Sequence, residues 1–80
     1  MSKDLIDKIT DKLETISIST DRLKSYNDYL YSSIEDIDNK EIMNKLYALN
    51  YAINTSIKDI KTDTKNAYDT SLKLRDKVKE

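Results

Sequence analysis

The sequence contains no glycine, proline, cysteine, histidine, tryptophan or phenylalanine. The absence of cysteine and histidine excludes a disulfide framework, a zinc site with the usual ligands, and catalysis by a thiol or an imidazole. Glycine and proline are the residues that most often form tight turns, and a β-rich fold needs many such turns. We therefore expect an all-α protein that binds no metal and no cofactor.

Long apolar segments are also missing. No stretch approaches the roughly 18 apolar residues that a membrane span requires, and residues 1–12 alternate charges instead of forming a signal-peptide core. Because 80 residues is about half of a typical domain, we expect one folded unit, residues 1–80, in the cytoplasm. Twelve lysines against two arginines, with ten isoleucines and six asparagines, suggest an AT-rich genome, such as that of a bacterium, its phage or a large virus.

Apolar residues recur at the alternating spacing of three and four residues that is typical of a coiled coil, whose seven positions are labelled a to g. In the first half of the chain, a falls at Ile6, Leu13, Thr20, Asn27 and Ile34, and d falls at Ile9, Ile16, Leu23, Leu30 and Ile37. In the second half, a falls at Met43, Asn50, Ile57, Thr64, Ser71 and Val78, and d falls at Leu46, Ile53, Ile60, Ala67 and Leu74. The pattern predicts two amphipathic helices.

The heptad phase slips by two residues between the halves. We place a turn there, at Asp38, Asn39, Lys40 and Glu41, between a first helix over about 3–37 and a second over about 42–78. Asp38 and Glu41 have the spacing of a capping box, and Asn39 is the best candidate for a left-handed backbone conformation. A kinked continuous helix gives a similar pattern, but the slip favours an antiparallel helical hairpin.

In such a hairpin, position a of one helix is expected to share a layer with d of the other. With partners whose numbers sum to 80, Asn27 pairs with Ile53 and Leu30 pairs with Asn50, and no layer is polar on both sides. Residues 1–39 carry nine acids and five bases, whereas residues 40–80 carry six acids and nine bases, so the two halves attract each other. Buried asparagines at a cost stability but can fix the register, which is the role we predict for Asn27 and Asn50.

The flanks of this seam carry apolar and aromatic side chains, where coiled coils normally carry lysine and glutamate. These residues are Tyr26, Ile42 and Leu49 at g, Tyr31 and Tyr47 at e, and Tyr29 and Tyr51 just outside. Two helices enclose little core, and a small domain with a thin interior usually recruits another chain. We therefore predict that these residues form an interface, either with a second copy in a four-helix bundle or with a different protein.

For function, the sequence favours a non-enzymatic protein–protein interaction module: a small helical adaptor, inhibitor or regulator that binds a larger protein. A purely structural, self-assembling scaffold is the first alternative. The second is an RNA-binding four-helix-bundle dimer, which the chain resembles in overall shape only. Because aspartates interrupt the basic tail of the second helix, we do not expect nucleic-acid binding. No segment of this glycine-free sequence resembles a phosphate-binding loop, so we expect no small-molecule substrate.

Overall fold

A computed structural model describes residues 3–78 as two long helices, α1 (Lys3–Ile34) and α2 (Lys40–Lys77), joined by residues 35–39. The helices pack side by side in opposite directions, and the Cα atoms extend over 62 × 15 × 12 Å. Within the described part of the chain there is no strand. The predicted all-α antiparallel hairpin is thus confirmed. We call the end with the connecting residues the loop end, and the other the open end.

α1 ends at Ile34, three residues earlier than predicted. Its last turn contains no basic residue, and three acidic residues follow at once, namely Glu35, Asp36 and Asp38. Negative charge at a helix C terminus opposes the helix dipole, so further extension is disfavoured. The N–H of Ile37 instead donates to the carbonyl of Ile34 at 3.1 Å, which closes the helix with a tight turn.

The connection begins and ends earlier than the predicted turn. Lys40 and Glu41 lie in the first turn of α2, so their assignment to the turn was wrong. Asn39 is the N-cap, with φ −82° and ψ 110°, and its side-chain oxygen accepts a hydrogen bond from the N–H of Ile42 at 3.1 Å. This backbone is extended, not left-handed as predicted, because a capping side chain reaches the helix only from the extended region. Asp38 lies outside the cap and forms no capping box with Glu41.

Position a faces the partner helix along the whole hairpin. Eight of the nine buried residues in the described chain occupy a, namely Ile6, Thr20, Asn27, Ile34, Asn50, Ile57, Thr64 and Ser71. The ninth, Thr10, is at e. The d residues, which were predicted to share the seam, are half-buried near the loop end and exposed toward the open end, where Ile16 is 44% exposed and Ile60 is 45% exposed. The fully buried interior is therefore built mainly from position a of each helix.

Polar residues make up most of that interior, six of them against three isoleucines. The hydroxyl of Thr10 donates to the carbonyl of Ile6 at 2.9 Å and lies 2.8 Å from the hydroxyl of Ser71 on the other helix. The hydroxyl of Thr20 donates to the carbonyl of Ile16 at 2.7 Å. Carbonyls one turn earlier in the same helix thus satisfy these buried hydroxyls, so the helices tolerate them in the seam.

The predicted layers, with a against d, do not form. Asn27 packs directly against Asn50, so a meets a at this level, and Thr10 meets Ser71 near the open end. The prediction that no layer is polar on both sides was therefore wrong. The cause is the rotation of both helices, which turns a inward and leaves d at the edge of the contact.

One edge of the contact is closed by three polar pairs at heptad spacing, which we call the polar ladder. Lys61 pairs with Asp21, the phenol of Tyr68 donates to Glu14 at 3.1 Å, and the Arg75 guanidinium lies 3.7 Å from the Asp7 carboxylate. In each pair an e residue of α2 meets a b residue of α1. Exposed pairs of this kind contribute roughly 0.2–1 kcal/mol each, so the ladder orients the helices more than it stabilises them.

Because Thr10 and Ser71 are in contact, we expect cysteines at these two positions to form a disulfide. In the variant Thr10→Cys/Ser71→Cys, two thiols replace hydroxyls that are 2.8 Å apart, so the two sulfur atoms lie near enough to form a bond of about 2.05 Å after a small adjustment. Mild oxidation should link them and stabilise the hairpin by about 4 kcal/mol, because the bond closes a long loop. Non-reducing electrophoresis at low protein concentration and urea unfolding measure both effects.

The matched control is Thr10→Cys/Thr70→Cys, because Thr70 is exposed and its hydroxyl donates to Asn66 of its own helix. Equal cross-linking of the two variants would contradict the observed packing.

Candidate interaction surfaces

The hairpin has two long sides of different chemistry. When a points at the partner helix, e and b project to one side and d and g to the other, because successive residues turn by about 100° around the helix axis. Antiparallel helices are related by an approximate two-fold axis perpendicular to their plane, so equivalent positions of α1 and α2 lie on the same side. The polar ladder therefore occupies one side, and the d and g residues of both helices occupy the other.

The second side carries an exposed apolar surface that runs the length of the molecule. We call it the apolar stripe and define it by the large exposed apolar residues at d and g, namely Leu5, Ile9, Ile16, Leu23, Tyr26, Ile42, Leu49, Ile60 and Leu74. Full burial of one such aliphatic side chain contributes roughly 1.5–3 kcal/mol, and here that burial is incomplete. Contiguous apolar patches of this kind usually mark interaction sites.

The structure divides the predicted interface between the two sides. Tyr26, Ile42 and Leu49, at g, lie on the apolar stripe, whereas Tyr31 and Tyr47, at e, lie on the ladder side. Tyr51, at b, also lies on the ladder side and is 75% exposed. The seven predicted residues thus cannot contact one flat partner together.

Tyr29, the seventh residue, is at c on α1. It is as exposed as Tyr51 and lies beyond the edge of the apolar stripe that Tyr26 forms.

The ladder-side tyrosines form a small aromatic cluster near the loop end. The rings of Tyr31 and Tyr47 have centroids 5.3 Å apart at an interplanar angle of 51°, a favourable tilted geometry. With Asp28, Tyr51 and the two asparagines Asn50 and Asn54, they line a shallow open groove. Desolvation raises the pKa of the Tyr47 phenol, and the nearby charge of Glu35 raises it further. An ordinary phenol is already protonated at neutral pH, and the upward shift extends the alkaline range over which Tyr47 can donate a hydrogen bond to a partner.

Asn27 and Asn50, predicted to set the register, contact each other across the interior. The Asn27 amide donates to the Asn50 carbonyl at 3.1 Å, and the Asn50 amide donates to the Asn27 carbonyl at 2.7 Å and to its side-chain oxygen at 3.0 Å. Both residues are buried. Sliding one helix by a heptad would separate the amides and leave buried polar groups unpaired, at a cost of about 1–3 kcal/mol each.

Sequence reasoning assigned the d residues to the seam and so missed them as surface residues. A signal was present, because position a contains five polar residues among its eleven whereas all ten residues at d are apolar. The more uniformly apolar row is the one that the hairpin leaves uncovered. Ile9, Ile16, Leu23, Ile60 and Leu74 are each 43–45% exposed.

Over residues 3–78, neither helix has an apolar segment of the length that crossing a membrane requires. Comparison of the chain with protein-family models, with curated proteins and with solved structures gives no match.

The amide contact predicts strong coupling between Asn27 and Asn50. Asn27→Ala should destabilise the hairpin by about 1–3 kcal/mol, because the buried Asn50 amide loses one of its two acceptors, the side-chain oxygen of Asn27. Asn27→Leu/Asn50→Leu should cost much less than the two single changes together, since no unpaired amide is left. Urea unfolding of the single and double variants measures the coupling.

The same double variant tests the register. On the background Thr10→Cys/Ser71→Cys, loss of the amide pair should lower the yield of the intramolecular disulfide, because other registers become accessible. If the changes in unfolding free energy of the single variants add up to that of the double variant, and the disulfide yield is unchanged, the asparagines do not set the register.

The ladder predicts a dependence of stability on high pH. The hydrogen bond from Tyr68 to Glu14, and then the Glu14 charge, raise the pKa of the Tyr68 phenol, while the Arg75 charge opposes the shift. A raised folded-state pKa contributes stability that is present below the ordinary tyrosine value of about 10 and is lost as pH rises through the shifted value.

The difference in unfolding free energy between the native chain and Tyr68→Phe should therefore be constant near neutral pH. In alkali, the native chain should lose stability relative to Tyr68→Phe. Urea unfolding across that range measures it. A difference independent of pH would show that the Tyr68 hydrogen bond contributes no linkage.

Proposed function

We propose that this protein is a non-enzymatic interaction module that docks on helices of another polypeptide through its apolar stripe. The observation that carries the proposal is the burial pattern of heptad positions a and d. The side chains that the hairpin buries between its own helices are mostly polar, whereas the apolar d residues are half-buried near the loop end and exposed toward the open end. Such an arrangement contributes little to the stability of the isolated hairpin. It favours a complex, because docking buries apolar surface that the hairpin alone leaves exposed.

The mode of docking follows from the shape of the stripe. Side chains at d and g stand at helical spacing along two antiparallel helices, so they present knobs that fit between the side chains of facing helices. Aliphatic residues such as Ile16 and Ile60 are the anchors, and charged residues at the edges, such as Arg22 and Asp59, orient the partner.

Two biological roles fit this mechanism. A small adaptor, inhibitor or regulator would use the stripe to capture a larger protein, whereas a scaffold would use it to assemble with copies of itself. The aromatic groove around Tyr31 and Tyr47 lies on the opposite side from the stripe and is rich in residues that are enriched at interfaces, so it offers a surface for a larger protein in either role. A cytoplasmic location and a bacterial or phage source remain predictions from the sequence.

The test compares two double variants that add the same charge on different sides. Ile16→Lys/Ile60→Lys places two lysines in the centre of the stripe, whereas Ile18→Lys/Thr62→Lys places two lysines at exposed f positions outside the stripe and the aromatic groove. The stripe variant should lose roughly 10–100-fold in affinity, because Ile16 and Ile60 are 44% and 45% exposed and docking gains about half of the roughly 1.5–3 kcal/mol that full burial of each would contribute. Sedimentation for copies of the chain and affinity capture for other proteins measure the loss.

Circular dichroism and disulfide formation between Thr10→Cys and Ser71→Cys check that the stripe variant still folds into a hairpin. If the stripe variant is folded and both variants bind alike, the stripe is not the docking surface and the proposal is wrong.

A further inference from the structure

We propose that the occupant of the apolar stripe is a second copy of this chain, with the loop ends of both copies together. This inference rests on the proposed function, since it names the partner for the same surface. In the resulting four-helix bundle, a two-fold axis runs parallel to the helices, and α1 of each copy lies against α2 of the other. The d residues of all four helices then form a shared apolar core.

The symmetry of the stripe suits a second copy. The approximate two-fold axis of the hairpin passes through the stripe, and the exposed fractions of d residues on the two helices match, as Leu23 at 44% and Ile60 at 45% illustrate. A closed two-fold dimer requires a surface that is complementary to itself. Two identical apolar ridges of equal height meet this requirement.

The size of the stripe is also sufficient. The long side of the molecule measures 62 Å by 12 to 15 Å, and a stable complex buries on the order of 800 Å² on each partner. One side of the hairpin therefore provides an area in this range, but only if nearly its whole length is covered. A copy of the same length covers it fully.

The distribution of apolar residues at the edges determines the relative direction of the copies. Beside the d row, five of the six apolar g and c residues within 3–78 lie in the half nearest the loop end, namely Tyr26, Tyr29, Ile42, Leu49 and Ala52, and the sixth, Leu5, lies near the open end. When the loop ends coincide, Tyr26 and Tyr29 of one copy face the segment of α2 that contains Leu49 and Ala52 in the other. When they lie at opposite ends, the same tyrosines face the polar half.

Charges at the edges favour the same direction. Asp21 and Lys61 lie at one level in the hairpin, so their neighbours Arg22 and Asp59, both at c, lie within a helical turn of one another in height. With the loop ends together, Arg22 of one copy approaches Asp59 of the other. With the loop ends apart, α2 lies against α2 and Asp59 faces its own copy, which is a repulsive contact.

The open end contributes less to the interface. Lys8 and Lys73, both at c, lie at similar heights there, and the proposed dimer places these like charges near each other. The loop half therefore holds most of the favourable contacts, apolar and ionic.

Two single-cysteine variants test the direction of the copies. Asp38→Cys labels the loop end and Asp76→Cys labels the open end, both at exposed positions outside the stripe. Spin labels on either variant should give distances within a dimer of less than half of the 62 Å length. Distances near the full length for both variants would establish the opposite direction and overturn the proposal.

A charge exchange tests the contact itself. Arg22→Asp should weaken dimerisation several-fold, measured by sedimentation, and Arg22→Asp/Asp59→Arg should restore it. Lys65→Asp, the same reversal on the ladder side, should leave dimerisation unchanged. Failure of the double variant to recover would contradict the proposed pairing of α1 with α2 between copies.

The oligomeric state separates this inference from the proposed function. A monomer at micromolar concentration, whose capture of another protein is abolished by Ile16→Lys/Ile60→Lys, refutes the second copy and supports the docking function. A monomer whose interactions are insensitive to that change refutes both.

Discussion

The reciprocal amide contact between Asn27 and Asn50 is the interaction on which the rest of the structure depends. It requires both asparagines to point directly at the opposite helix, and this rotation places every other a residue in the interior as well. With a inward, the d residues cannot be central. One polar contact in the middle of the hairpin thereby determines which side chains are buried and which form the stripe.

The two sides of the hairpin that result, the polar ladder and the apolar stripe, differ in how they connect the helices. The polar ladder joins the helices along one edge through charged and phenolic groups that remain hydrated. On the other edge, exposed aliphatic side chains stand beside each other. A helix pair of this kind resembles half of a bundle, since each helix has one neighbour where a bundle helix has two.

The sequence allowed the helices, their antiparallel arrangement and the position of the connection to be predicted to within a few residues. Periodicity carries that information, because the a residues of both halves repeat every seventh position. The rotation of the helices could not be predicted in the same way, since Ile9 and Ile6 are equally apolar and only their surroundings decide which one is buried. The left-handed conformation expected of Asn39 was wrong for a related reason: capping and left-handed turns both favour asparagine.

The thin interior also has a consequence for how the protein persists in a cell. With three buried isoleucines, the lone hairpin has a small reserve of folding free energy, and whatever occupies the stripe adds to that reserve by mass action. For a dimer of identical chains, chains at concentrations too low to pair would then spend longer unfolded and be removed by proteases sooner. Proteolysis would thereby set a minimum concentration below which the protein does not persist, without any dedicated regulator.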